Sequence, residues 1–222
     1  MTAMRALRRP LFVAALVGLA LVLSGCPSTP RRGGVPSVDR AEQLIRAGDQ
    51  AAAAAVYERL ASETSGTDAV EFNLRAARAW LAAGRAAEAD RVFALIPPGA
   101  GTQQQVLELS LLRIQSRLAQ GQGDLAWREI SAMPAPSGQQ AQARYYETRQ
   151  QVAIATGHLL DGIRAELSRE RVIPPGDLRT ARAELLAQLR AAAERGVSLT
   201  PPPGSDATVR GWLEAASIAL DN

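Results

Sequence analysis

Lysine is absent: all 25 basic side chains of this 222-residue chain are arginine, set against 22 acidic ones. Cysteine occurs once, as Cys26, and histidine once, as His158. A single cysteine excludes an intramolecular disulfide, so stability in an oxidising compartment has to come from packing. One histidine and one cysteine also leave no ligand set for zinc, and neither a metal nor a cofactor is expected. The one long apolar run, 11–22, falls short of the ~20 residues that a membrane-crossing helix needs. Runs of β-branched residues are scarce beyond residue 38, which argues against strands. No strand pattern precedes Gly99-Ala100-Gly101 or Gly121-Gln122-Gly123, so neither piece reads as a phosphate cradle. Catalytic constellations are missing altogether, and the chain is not expected to be an enzyme.

What is present begins with an address. Arg5, Arg8 and Arg9 precede the apolar run, and small residues follow it in Leu23-Ser24-Gly25-Cys26. That order is the layout of a signal peptide over 1–25. Arg8-Arg9 raises twin-arginine export, but Pro10 and Leu11 fit that pattern poorly and the strong apolar core favours the general secretory path. Leu23 to Cys26 resembles a bacterial lipobox. The resemblance implies that Cys26 is the lipid attachment site: it carries a diacylglyceryl group on sulfur, becomes the new N-terminus and is then N-acylated. Two or more acyl chains anchor stably where one does not. With three arginines and no acidic residue removed, 22 charges of each sign remain. The sequence pI near 9.7 therefore belongs largely to the export signal, and no nucleic-acid partner is expected. In lipoproteins of Gram-negative bacteria an aspartate after the lipidated cysteine favours the inner membrane. Pro27 stands there instead, so the resemblance implies an outer-membrane, periplasm-facing location.

Residues 26–37 read as the lipidated N-terminus and a flexible linker, rich in Pro, Ser and Gly. Eleven residues of such chain hold a body roughly 20 Å from its anchor. From residue 38 to 222 the sequence is alanine-rich, with apolar residues recurring at three and four, and it repeats. Gly48, Gly84, Gly121 and Gly157 are 36, 37 and 36 residues apart. A large aliphatic sits three residues before each: Ile45, Leu81, Leu118 and Ile154. The stripes Val70-Leu74-Ala77-Leu81 and Leu107-Leu111-Ile114-Leu118 keep one helix face apolar. Five residues after the first three glycines comes alanine (Ala53, Ala89, Ala126). Nine after comes a large residue (Tyr57, Phe93, Ile130), and twelve after another apolar one (Leu60, Ile96, Met133). Pro97 and Pro134 stop the second helices of two units.

These spacings describe helical hairpins: a glycine turn, alanine where two axes approach, and bulk against the next hairpin. They resemble the tetratricopeptide repeat. The expected fold is all-α, a right-handed superhelical array of antiparallel helix pairs. In the fourth unit the pattern decays, since Glu166 stands at the large position while Ile163 and Leu167 shift the stripe. Two more helices are expected at 178–195 and 208–220, separated by Pro201-Pro202-Pro203-Gly204. Ser205 or Asp206 can cap the last, and Trp212 is expected to pack it onto the preceding pair. His158 reads as an exposed turn residue. Glu71/Arg75 and Arg164/Ser168, one helical turn apart, read as solvated faces.

Three stretches extend the resemblance. Residues 74–97 form a helix, a Gly turn and an Ala-x-x-x-Phe helix ending in proline. Gln142-Ala143-Arg144-Tyr145-Tyr146 opens a helix that closes on Gly157. Arg210-Gly211-Trp212-Leu213 is followed by Asp221-Asn222. In this order behind a lipobox they are similar to the N-terminal region of the LpoA/LppC family, outer-membrane lipoprotein activators of penicillin-binding proteins. The family implies a non-catalytic partner of a class A penicillin-binding protein, which polymerises glycan strands and cross-links peptides. In the family a larger domain of the periplasmic substrate-binding-protein type follows and contacts the synthase. Here the sequence stops at Asn222, where that connection would begin, so the expectation is the stalk alone, from a truncated relative or a fragment. Two other readings stay open: a helical-repeat scaffold of an outer-membrane assembly, and the superhelical part of a lytic transglycosylase, whose catalytic glutamate would lie in a further domain.

Overall fold

A computed structural model describes residues 37–218. The expected signal peptide, Cys26, the expected linker up to Pro36, the last two residues of the helix expected at 208–220, and Asp221-Asn222 lie outside the described residues. Ten α-helices fill the described part, with no strand: α1 Val38–Arg46, α2 Gln50–Ser62, α3 Gly66–Ala82, α4 Ala86–Phe93, α5 Gln103–Ala119, α6 Gly123–Ala132, α7 Gln139–Ala155, α8 Leu159–Arg169, α9 Leu178–Glu194 and α10 Ala207–Ile218. The all-α, TPR-like reading holds. Side-chain caps set several starts. Ser37 accepts from Arg40 N–H, Asp49 from Ala52 N–H, and Thr102 forms a reciprocal capping box with Gln105. Ser37, the last residue read as linker, is the N-cap of α1. Asp206, not Ser205, caps α10, accepting from Val209 N–H at 2.9 Å.

The repeating glycines close one turn, reused. Gly84 has φ +72° and Gly157 φ +84°, a left-handed conformation that costs a residue with a Cβ. It lets the next N–H reach back to the fourth carbonyl before the glycine: Arg85 N to Trp80 O at 2.9 Å, and His158 N to Ala153 O at 2.7 Å. Val197 N reaches Ala192 O at 3.1 Å across Gly196 in the same way. The chain therefore makes a fifth such turn that the even spacing did not reveal, between α9 and α10.

Each hairpin packs on itself and on the next, and first helices of successive hairpins also touch: α3 with α5, α5 with α7, α7 with α9. The cores run on from one another. Leu74, Trp80, Val92 and Phe93 centre the first, Leu111, Ile114, Ile130 and Tyr145 the second, Ile163, Leu185, Leu189 and Leu213 the third. Trp212 packs at the edge of the third, as expected. Ala53, Ala89 and Ala126 are wholly buried, which fits the close-approach position.

Several expectations need correction. Of the aliphatics before the turns only Ile154 is fully buried; Ile45 is 38 % exposed and lines an open groove. α4 stops at Phe93, before Pro97, in a tight turn where Leu95 N reaches Val92 O and Ile96 N reaches Phe93 O. α10 begins at Ala207. The fourth unit does not lose the register. Gly162 takes the close-approach position, and Glu166 occupies the large position with no exposed surface. Charge has replaced bulk at an unchanged place in the packing.

Gly162 marks a close approach of α8 to α7. A Cβ there would lie 2.5 Å from Ile154 Cγ1 and 3.2 Å from its Cδ1. Gly162→Ala gains ~1 kcal/mol of helix propensity against ~1–3 kcal/mol of overpacking. The expected outcome is a melting temperature lowered by a few degrees, at ~2–4 °C per kcal/mol for a body of this size. A rise in calorimetry would show that the two helices have slack.

Candidate functional site: a groove along the first helices

The first helices of the hairpins, α1, α3, α5 and α7, line a groove of about 690 Å³. The physical reason is the repeat itself. One flank of each first helix is consumed by the core stripe, and the neighbouring flank, one residue on, is left facing its counterparts. Ile45, Leu74 and Leu107 form apolar floor, while Glu71, Arg75, Arg78, Glu108 and Arg144 supply charge and Gln104, Gln105 and Gln140 amides.

Most of that charge is already engaged. Arg75 Nε donates to Glu71 Oε1 at 2.7 Å, and Arg78 pairs with Glu108 from α3 to α5. Burial by itself raises the Glu71 carboxyl. Hydrogen bonds from Arg75 and Gln105, with the charges of Arg75 and Arg78, outweigh it and hold the group below its ordinary value. Glu71 and Arg75 are thus part of the groove, not the solvated face read from spacing alone. Arg164 and Ser168 do sit on the outside, with Ser168 Oγ donating to the Arg164 carbonyl. Arg144, exposed on α7, is in no ion pair among the described residues.

Side-chain amides stitch successive first helices together. Gln105 Nε2 donates to Thr67 O at 3.0 Å, Gln115 Nε2 to Gln151 Oε1 at 3.2 Å, and Gln150 Nε2 to Gln188 Oε1 at 3.2 Å. These bonds span 36 to 38 residues in sequence, one repeat. None was legible beforehand, because glutamine on a helix flank carries no signal until its neighbour is placed. The charged groove positions Arg78 and Glu108 were missed for the same reason; the only hint is that each follows a stripe residue, Ala77 or Leu107.

His158 is an exposed turn residue, as expected, but it also stacks on Trp127, with ring centroids 4.3 Å apart. Among the described residues no group of His, Cys, Asp and Glu could hold a metal ion, and no helix is long and apolar enough to cross a membrane. The groove itself presents paired charges and side-chain amides over an apolar floor, an arrangement suited to binding.

No known family matches the chain by sequence, and no curated protein does. Solved structures do. The amino-terminal domain of Escherichia coli LpoA is similar with a TM-score of 0.54 and 22 % identity, over 76 % of this chain and 75 % of that domain. The fold is shared with the LpoA amino-terminal domain. Haemophilus influenzae supplies a second LpoA domain at TM-score 0.56 and 18 % identity, matching 76 % of each chain. Full-length LpoA from the same organism is matched at TM-score 0.56, but this chain spans only 31 % of it. The LpoA domains are helical repeats, which agrees with the glycine-turn hairpins and with the resemblance seen in the sequence. At these identities the likeness to LpoA is one of fold.

Proposed function

We propose that this chain is the lipid-anchored helical stalk of an outer-membrane regulator of peptidoglycan synthesis, non-catalytic itself and acting on a class A penicillin-binding protein. The observation that carries the reading is the LpoA-type fold over 76 % of the chain, behind a lipobox-like Leu23-Ser24-Gly25-Cys26. Residues 1–25 act as the signal peptide, Cys26 bears the lipid, the linker runs to 37 and the body from 38 to 222. Hairpins advance by about 8–10 Å per helix layer, so the body extends a tether of roughly 20 Å by several nanometres into the peptidoglycan layer. A charge-balanced, amide-rich groove suits reversible contact with a polymer or a protein segment, with no reaction required of it.

Membrane attachment is tested separately from the partner. Cys26→Ala should remove the protein from the outer-membrane fraction, since the acyl chains supply the binding. If the variant still sediments with outer membrane after a high-salt wash, the anchor lies elsewhere. The synthase itself is tested by glycan polymerisation and cross-linking assays, argued below.

A further inference from the structure

Positions nine and twelve of the fourth hairpin, held elsewhere by Tyr57/Leu60, Phe93/Ile96 and Ile130/Met133, are Glu166 and Arg169. Glu166 has no exposed surface, and the Arg169 side chain is 14 % exposed. Three carboxylates from three helices converge on this one guanidinium. Glu166 Oε2 and Glu184 Oε2, from α8 and α9, both contact Nη1, at 3.4 and 3.6 Å. Glu147 Oε1, from α7, contacts Nη2 at 3.6 Å. Arg169 Nε and Glu166 Oε1 are buried without a hydrogen bond. A second pair, Arg182 and Glu170, is closed on itself by bonds of 2.7 and 2.9 Å. From α10 the apolar Val209, Leu213 and Ala216 face the adjoining core.

We propose that this cluster is a proton-operated clasp, fastening the terminal hairpin α9–α10 to the fourth hairpin when Glu166 is protonated and loosening it when Glu166 is ionised. With all three acids charged, one guanidinium faces three carboxylates, and Glu166 competes with Glu184 for the same nitrogen. The resulting excess negative charge lies at the junction of α7, α8 and α9, partly out of water, where repulsion is screened least. A proton from solvent on Glu166 removes one negative charge and frees Nη1 for Glu184. Arg169 then bridges Glu147 and Glu184, tying α7 to α9 through α8. Glu166 takes that proton because it alone of the three has lost all contact with water; Glu147 and Glu184 keep 29 % and 51 % of theirs. Burial accordingly raises its carboxyl above the ordinary value, helped by the charges of Glu170 and Glu184 and only partly offset by Arg169.

The sign follows from linkage. Folding raises the proton affinity of Glu166, so its stabilising contribution is complete below the unfolded value of about 4.3 and is lost as pH rises through the folded value. Hydrogen exchange on the full chain, corrected for intrinsic rates, should show α9–α10 amides losing protection relative to α3–α4 as pH rises from about 4.3 through the folded value, by roughly tenfold for each unit of differential proton affinity. Glu166→Gln, which mimics the protonated acid, should hold the acid-level protection throughout. Glu184→Gln puts a neutral acceptor where the α9 carboxylate stood and removes a negative charge beside Glu166, so it should weaken the acid-level protection of α9–α10 and move the remaining loss to lower pH. A Glu166→Gln profile identical to the unsubstituted chain would overturn the clasp, as would a loss spread equally over all hairpins. If Glu166→Gln does not fold, an unmoved Glu184→Gln profile decides against it.

Discussion

Ala89→Arg is expected to abolish the cooperative melt of the body or to lower its midpoint by about 10 °C. Ala89 has no exposed surface and lies where α4 meets its neighbours, in the core shared with Val92, Phe93, Leu74 and Trp80. An arginine there brings a bulky side chain into a filled space and a charge into a place with no carboxylate partner. An uncompensated buried charge costs about 3–5 kcal/mol, against a total stability of about 5–15 kcal/mol for an ordinary domain. Thermal unfolding followed by circular dichroism checks it. Ala87→Arg, one position from the turn's buried Ala86 and itself exposed, is the control and should melt as the unsubstituted chain does. An unchanged midpoint for Ala89→Arg would mean that the repeat register is misplaced.

The second large effect concerns the synthase. On the proposed reading the stalk positions an activating surface and does not carry it, so the 222-residue chain should bind or stimulate a purified class A penicillin-binding protein weakly or not at all. A form of the chain joined to a following domain of the substrate-binding-protein type should raise glycan polymerisation or cross-linking several-fold. The difference follows because, on this reading, the activating surface belongs to the joined domain. Full stimulation by the stalk alone would overturn this division of labour. No stimulation by the joined form would remove the activator reading, while leaving the Cys26 anchor and the Glu166 clasp to stand on their own measurements.

Helices were readable wherever local chemistry sufficed. The 36-residue rhythm of glycines marks hairpin turns because a left-handed residue ends a helix whatever surrounds it. Asp206, one of the two cap residues expected from the sequence, acts within three residues of itself; Ser37 and Thr102 cap in the same local way but were not read as caps. The fifth turn at Gly196 escaped because it follows Gly157 by 39 residues, off the even period, with the connection 170–177 between α8 and α9 in the interval. The fourth unit escaped for a different reason. Glutamate and arginine at positions nine and twelve look like surface residues by composition, and only the placement of α7 and α9 around them reveals that the array has closed over a charged pair. The groove was equally hidden: Glu71/Arg75 at one helical turn has the same spacing on an open face as in a channel.

By itself, then, the sequence determined the helical class, the hairpin turns and the alanine close-approach positions. Each of these depends on residues within about one repeat of one another, where backbone sterics and helical periodicity act without reference to the rest of the chain. Tertiary structure alone decided which flanks face one another: the glutamine stitches between first helices, the Arg78–Glu108 pair and the three carboxylates around Arg169. Those contacts join residues up to 38 apart through packing angles that no single helix contains. Burial likewise depends on what the neighbours cover, and so an exposed Ile45 and a buried Glu166 could both arise from one repeated pattern.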